Sequence, residues 1–364
     1  MRVLPHCVRS VTKPRSTVGR RSDMLDRWWM LGLMIVLAGC SGSGNEPAGG
    51  AAACDSPPAL TVPTSTLDAA LACSAGLASA TRAPVLLVPG TATTPDTAFS
   101  WNHQPALEAM GWPYCTVELP ESAMADAQVS AEYIVHAIRQ MARVSGRRVA
   151  VVGYSQGGML PRWALRFYPD IRERVEELVG LAPSNHGTET AAPSCVSGCQ
   201  PSIWQQRSDA AFIAALNADF ETVAGVDYTV IYTQLDEVVV PNAGPNPSSP
   251  LRAQGEHLAN IATQSVCPAN AADHLALGTY DPVAHALLVD ALTHPGPADP
   301  TRLAGYAGAP GTAAVCAEVF MPGVNPATFA LDYGGLLAGI SEATANTERV
   351  DAEPALRCFA DPAG

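Results

Sequence analysis

The stretch RRVAVVGYSQGGML, residues 147–160, decides the fold. Its segment 149–152 is a short run of small and β-branched apolar residues, the pattern of a buried strand. QGGMLPRWALRFY (156–168) then follows as a helix, with Pro161 removing one amide donor in its second turn and bending it there. Between the two, Gly153 and Gly157 stand two residues either side of Ser155. A chain that reverses from strand to helix this sharply presses backbone on backbone, and a side chain at either glycine position would collide. The reversal lifts Ser155 Oγ clear of the sheet and aims a helix N-terminus at it, which favours negative charge developing there. Gly-x-Ser-x-Gly is a short pattern, and a tight turn with a serine N-cap would also produce it. The weight rests on the strand–turn–helix context.

Working outward, strands and helices alternate. APVLLVPG (83–90), YCTVEL (114–119), VEELVGLAP (175–183), DYTVIYT (227–233) and LANIATQSV (258–266) read as strands. STLDAALA (65–72) opens a helix with Ser65 as N-cap and Asp68 three residues on. DAQVSAEYIVHAIRQMARVSG (126–146) sets Val129, Tyr133, Ala137, Met141 and Val144 on one stripe, with Gly146 as its stop. SDAAFIAALNADF (208–220) and DPVAHALLVDAL (281–292) are further helices. Continuous apolar strands alternating with helices imply an α/β fold, a mostly parallel central sheet with helices on both faces. Chemistry in such sheets collects beyond the C-terminal ends of the strands.

A serine hydroxyl is a poor nucleophile until a base takes its proton and an acid orients that base. Asp236 follows the strand 227–233, and His274 lies in the loop after the last strand, so both fall at the same rim as Ser155. Glu237 adjoins Asp236 but would point elsewhere. His136 and His285 lie inside helices as packing or surface residues, and His257 precedes a strand, at the wrong end of the sheet. His103, His186 and His294 fall in loops, and the first two could line a cleft. An oxyanion would be met by the Gln156 amide and by Thr91, amide and hydroxyl, in the loop VPGTATT (88–94).

Composition bounds the rest. The 364 residues are 48% hydrophobic and 15% charged, which favours a globular body. Residues 1–39 carry seven bases and two acids and end in the apolar run 28–38, whose 11 residues fall short of the ~20 that span a bilayer. They read as an export signal. LAGC (37–40) resembles a bacterial lipobox, with Cys40 the lipidated residue; an ordinary secretory signal, or a start at Met24, is the alternative. The Gly- and Pro-rich residues 40–58 read as a lipid-anchored tether, and 59–364 as a single catalytic domain. Loss of residues 1–39 takes the formal charge from −13 to −18 and removes Lys13, the only lysine. That excludes a Schiff-base lysine and disfavours nucleic acid as a partner. Eight cysteines remain (Cys54, Cys73, Cys115, Cys195, Cys199, Cys267, Cys316, Cys358), an even number that suggests disulfides; without Cys-x-x-Cys or His-Glu-x-x-His spacing, no metal is expected.

PVLLVPGTATT, AEYIVHAIRQM, YSQGGMLPRWALRFYP, PSIWQQ, LDEVVVP and ADHLALG, in this order and spacing, resemble the Candida antarctica lipase B-like family of the α/β-hydrolase superfamily, from about Leu67 to Arg357. The resemblance implies a triad of Ser155, Asp236 and His274, oxyanion donors at Thr91 and Gln156, and cofactor-free hydrolysis of triacylglycerols and other carboxylic esters. It also implies the disulfides Cys73–Cys115 and Cys267–Cys316. The chain departs from the family in three places. Tyr154 replaces a tryptophan that shapes the substrate pocket; Ser184 stands where a carboxylate is expected; and SCVSGC (194–199) adds a cysteine pair in a flap beside the cleft. A Cys195–Cys199 bridge would stiffen that flap, and Cys54–Cys358 is left by elimination. NPATFALDYGGLLAGI (325–340) reads as an apolar helix, either core or, by the resemblance, a lipid-facing border of the entrance. The expected partners are an ester or lipid substrate and, through Cys40, a membrane, with the protein acting as a monomer in the cell envelope or, unanchored, secreted. The same machinery would serve a polyester hydrolase or an acyltransferase, and an idle triad would leave a non-catalytic surface lipoprotein.

Overall fold

Every residue of the run 149–154 is buried, because it lies at the centre of a sheet covered on both sides. The computed structural model describes Cys54, residues 58–303 and residues 314–361. All of this lies in the unit Ala51–Gly364; the other unit, Met1–Gly50, falls outside the described residues, and with it the expected signal, Cys40 and most of the tether. The strands are β1 (Leu71–Cys73), β2 (Val85–Val88), β3 (Tyr114–Val117), β4 (Val149–Tyr154), β5 (Val175–Leu181), β6 (Asp227–Tyr232) and β7 (Leu258–Ala262). They form one seven-stranded sheet in the order β1-β3-β2-β4-β5-β6-β7. Only β1 is antiparallel to its neighbour.

The side-chain period of two sorts each strand between two cores. Leu86, Val88, Val149 and Val151 pack with the helices Ala127–Ser145 and Gln156–Phe167 on one face. Val85, Leu87, Ala150 and Val152 pack with the helix Pro282–Thr293 on the other. Chain order reverses at β2, with β3 on one side and β4 on the other. That switch point is where open α/β sheets form a crevice, and Thr91 and Ser155 follow the two strands that flank it.

Several local expectations are corrected. The first helix is Thr64–Ala69, with Pro63 at its N-cap and no side-chain cap, so Ser65 lies inside its first turn. Asp68 instead meets His136 Nε2 at 2.7 Å. The end of the expected helix is β1, held to β3 by Cys73–Cys115 at directly paired positions. The last strand stops at Ala262, and Thr263–Val266 is a helical turn. The helix in 208–220 is confined to Ala211–Asn217. On the long helix Val144 is exposed in the last turn, while Ile134, Val135 and Ile138 widen the buried face; Gly146 does close it, at φ 65°. The helix Gln156–Phe167 runs through Pro161 unbroken. All four disulfides form: Cys54–Cys358, Cys73–Cys115, Cys195–Cys199 and Cys267–Cys316. No helix among the described residues is long and apolar enough to cross a membrane.

One buried acid gives stability a pH slope. Glu177 lies in β5, its carboxyl accepting from Thr229 Oγ1 at 2.9 Å, and burial pushes it from 4.5 up to about 8, with Asp227, Glu176 and Asp290 adding to the effect. Below about pH 4.5 the group is protonated folded or unfolded and exerts no slope. Between 4.5 and about 8 the unfolded chain gives up the proton and the folded chain keeps it, so stability falls as pH rises, then levels off. Glu177→Gln is expected to raise the melting temperature by several degrees at pH ~9 and to leave it unchanged at pH ~4. Calorimetric scans at the two pH values check this.

Candidate active site

Ser155 is held at φ 55°, ψ −125°, a region that ordinary residues avoid, between β4 and the helix Gln156–Phe167. Its neighbours show why the motif carries two glycines. A Cβ on Gly153 would lie 1.9 Å from the Gly157 carbonyl oxygen, and one on Gly157 would lie 2.3 Å from that of Val88. The serine is the N-cap of the helix, yet its side chain makes no cap bond, unlike an ordinary turn serine. The hydroxyl donates instead to His274 Nε2 at 3.0 Å.

His274 opens the helix His274–Thr279, capped by the Asp273 side chain, which accepts from the Ala276 amide at 2.7 Å. Its Nδ1–H donates to Asp236 Oδ2 at 2.9 Å. Asp236 is fixed in turn by the amides of Val238 and Val239, at 3.0 and 2.7 Å, and by Asn242 Nδ2 at 3.3 Å. Three residues distant in sequence thus form one chain of hydrogen bonds, all buried. Glu237 turns to the same histidine's main chain, accepting from the His274 amide at 3.1 Å. The Tyr154 ring lies 5.2 Å from the imidazole and packs over Gly278, where a Cβ would come within 2.1 Å of it.

The other histidines lie elsewhere. His103 begins the helix His103–Ala109 rather than a loop; it is buried, bonded through Nε2 to the Gly278 carbonyl, and lowered by burial to about 4. His186 is tied to the Ser248 carbonyl and Glu221. Neither lines the cleft at Ser155. His285 is buried beside His103 and lowered by burial to about 3. His136 bonds Asp68, His257 stands at the N-terminal end of β7 beside Thr222, and His294 caps the helix Pro282–Thr293.

Thr91, which lines the same cleft as His274, meets Gln156 through Oγ1, which donates to Gln156 Oε1 at 2.7 Å. As the first residue of its helix, Gln156 has a main-chain amide with no carbonyl one turn back to bond. Its side-chain Nε2 donates to the Ala123 carbonyl at 3.0 Å. That carbonyl belongs to a left-handed turn in which Glu121, Ser122 and Ala123 all have positive φ, strain of the kind that collects at functional sites. The sequence gives no warning of it, since none of the three is glycine. Nor did it single out Gln206, whose Nε2 reaches both Thr91 Oγ1 (2.9 Å) and Gln156 Oε1 (2.8 Å). Ser184, in place of the expected carboxylate, donates to Gln206 Oε1 at 2.9 Å.

Ser155, His274, Thr91 and Gln206 line a cleft of about 670 Å³ with mainly apolar walls, among them Met124, Ile203, Val238, Leu337 and Ile340. The last two come from the helix Phe329–Asn346, which buries only Leu336 and leaves Leu331 and Leu337 exposed; it is a border and not core. The cysteine-rich flap forms another wall through Ala191 and Ser194. The Cys195–Cys199 bridge closes it, and paired amide–carbonyl bonds between Cys199 and Val350 fasten it.

Residues 121–265 match the family described as Lipase (class 2). Over 223 residues the chain is 36% identical to lipase B of Pseudozyma antarctica, covering 60% of this chain and 64% of that enzyme's length. The crystal structure of Aspergillus fumigatus lipase B superposes with a TM-score of 0.75 at 32% identity, over 83% of this chain and 73% of that one.

Proposed function

This chain belongs to the lipase B family of α/β-hydrolases, and on that premise we propose that it is a serine ester hydrolase, a lipase or carboxylesterase that cleaves acylglycerols or related carboxylic esters. The observation that carries the reading is the unbroken chain Ser155–His274–Asp236 at an apolar cleft that Thr91 also lines.

In the proposed reaction His274 Nε2 takes the proton as Ser155 Oγ bonds to the ester carbonyl carbon. The electron pair of the broken C=O π bond settles on the oxygen, which is met by the Gln156 amide and by Thr91. The C–O bond to the alcohol then breaks, and His274 returns the proton to the departing oxygen. Water, deprotonated by the same imidazole, adds to the acyl carbon; the bond from that carbon to Ser155 Oγ then breaks, His274 returns the proton to Oγ, and the acid leaves. Asp236 holds the imidazole by Nδ1–H and stabilises its cationic form without taking the proton. The apolar walls suit an acyl chain, and exposed Leu331, Leu337, Leu235 and Val238 suit contact with a lipid phase. Four disulfides belong to an exported chain. We extend this to lipid attachment at Cys40, with the described body tethered to a bacterial membrane surface.

A p-nitrophenyl ester series from acetate to palmitate tests the reading. Turnover across the series, with kcat/KM highest beyond acetate, is expected from a cleft of this size and polarity. Absence of turnover with every member would overturn the reading.

A further inference from the structure

We propose that Gln206 is a positioning residue of the oxyanion site, holding Gln156 so that the Thr91 hydroxyl is free to turn onto substrate; the proposal rests on the ester-hydrolase reading above. In the structure the Thr91 hydroxyl donates to Gln156 Oε1. A hydroxyl has one hydrogen, so donation to a substrate oxygen withdraws it from Oε1, an acceptor on a fully buried side chain. Left alone, that acceptor would penalise the very state that catalysis needs.

Gln206 removes the penalty. Its amide orientation is settled by its surroundings. Nε2 faces Gln156 Oε1 and, at 3.2 Å, the Ser202 carbonyl, both acceptors only, while Oε1 receives the Ser184 hydroxyl. One Nε2 hydrogen therefore serves Gln156 Oε1 whether or not Thr91 does. The other is shared between the Ser202 carbonyl and a lone pair of Thr91 Oγ1, which leaves the hydroxyl hydrogen free to rotate and polarises it as a donor. The Ala123 carbonyl holds Gln156 from its opposite end, so the amide stays in place as Thr91 turns. Ser184 fits the same account: a neutral donor there sets the Gln206 amide with its nitrogen towards the oxyanion side.

The test is a double-mutant cycle read as kcat and KM on p-nitrophenyl butyrate. Gln206→Met keeps the length and removes the donors. It is expected to lower kcat about tenfold with KM within about twofold, since the interaction is used in the transition state. In a Thr91→Val background, where no hydroxyl remains to be freed, the same substitution is expected to cost less than about twofold. Equal losses in both backgrounds, or an unchanged kcat in the single variant, would overturn the proposal. If Gln206→Met does not fold, Ser184→Ala replaces it in the cycle. It leaves Gln206 but frees its amide, and a kcat loss of about threefold that vanishes with Thr91→Val is expected, with additive loss again the contrary result. Ser155→Ala separates the two claims. Activity surviving that change ends the ester-hydrolase reading itself, whereas loss with Ser155→Ala and Thr91→Val but not with Gln206→Met ends only this proposal.

Discussion

Ser155→Ala is expected to lower kcat/KM on p-nitrophenyl butyrate by roughly five to six orders of magnitude, with the melting temperature unchanged. Under the proposed mechanism the loss is this large because the substitution removes the atom that forms the acyl bond, not one of several donors around it. What remains, the Thr91 and Gln156 donors and a cleft that still binds the ester, supports only the modest acceleration of a site without its nucleophile. The fold should not suffer. The hydroxyl makes no helix-capping bond, and the glycines that permit the reversal are untouched. Equal far-ultraviolet spectra and melting curves beside the lost rate would separate chemistry from structure.

Gly157→Ala is expected to reach the same chemistry through the backbone. The added methyl would lie 2.3 Å from the Val88 carbonyl oxygen and 2.4 Å from that of Pro89. Both are main-chain atoms of the segment leading to Thr91, so neither can swing aside as a side chain would. Relief comes only by moving that segment away from the helix Gln156–Phe167, which parts Thr91 from Gln156. A loss of about 3 kcal/mol in stability is expected, together with a fall in kcat of about 100-fold or more as the oxyanion donors separate. Gly334→Ala is the control. A Cβ there meets nothing within 4 Å, and the residue lies in a helix that also borders the cleft. That variant should keep its activity and melt no lower, since alanine is the better helix former.

The parts legible in the sequence are those with a short-range signature. Strands buried on both faces are continuous apolar runs, so β2 and β4 are plain in the sequence. The two glycines around Ser155 announce a reversal because close backbone approach leaves no other residue. Asp236 and His274 could be picked from chain order, each coming after a strand. β1 escaped because three residues with one partner strand carry too little pattern, and its leucine and alanine also suit the helix before it. The Glu121–Ala123 turn escaped because its left-handed backbone is imposed from outside. Gln206 escaped for a related reason: a glutamine joins a polar network through contacts 50 and 115 residues away along the chain, to Gln156 and Thr91. His103 and His186 read as loop residues able to line the cleft, yet their rings bond the backbone carbonyls of Gly278 and Ser248.

The central claim is that Ser155 is a nucleophile activated by His274, and a fluorophosphonate probe tests it most directly. Such a probe phosphonylates an activated serine and releases fluoride. Peptide mass mapping of the treated protein is predicted to find the adduct on Ser155, with none on the Ser155→Ala variant. An unmodified Ser155 in the native protein, or an adduct that persists in the variant, would contradict the account.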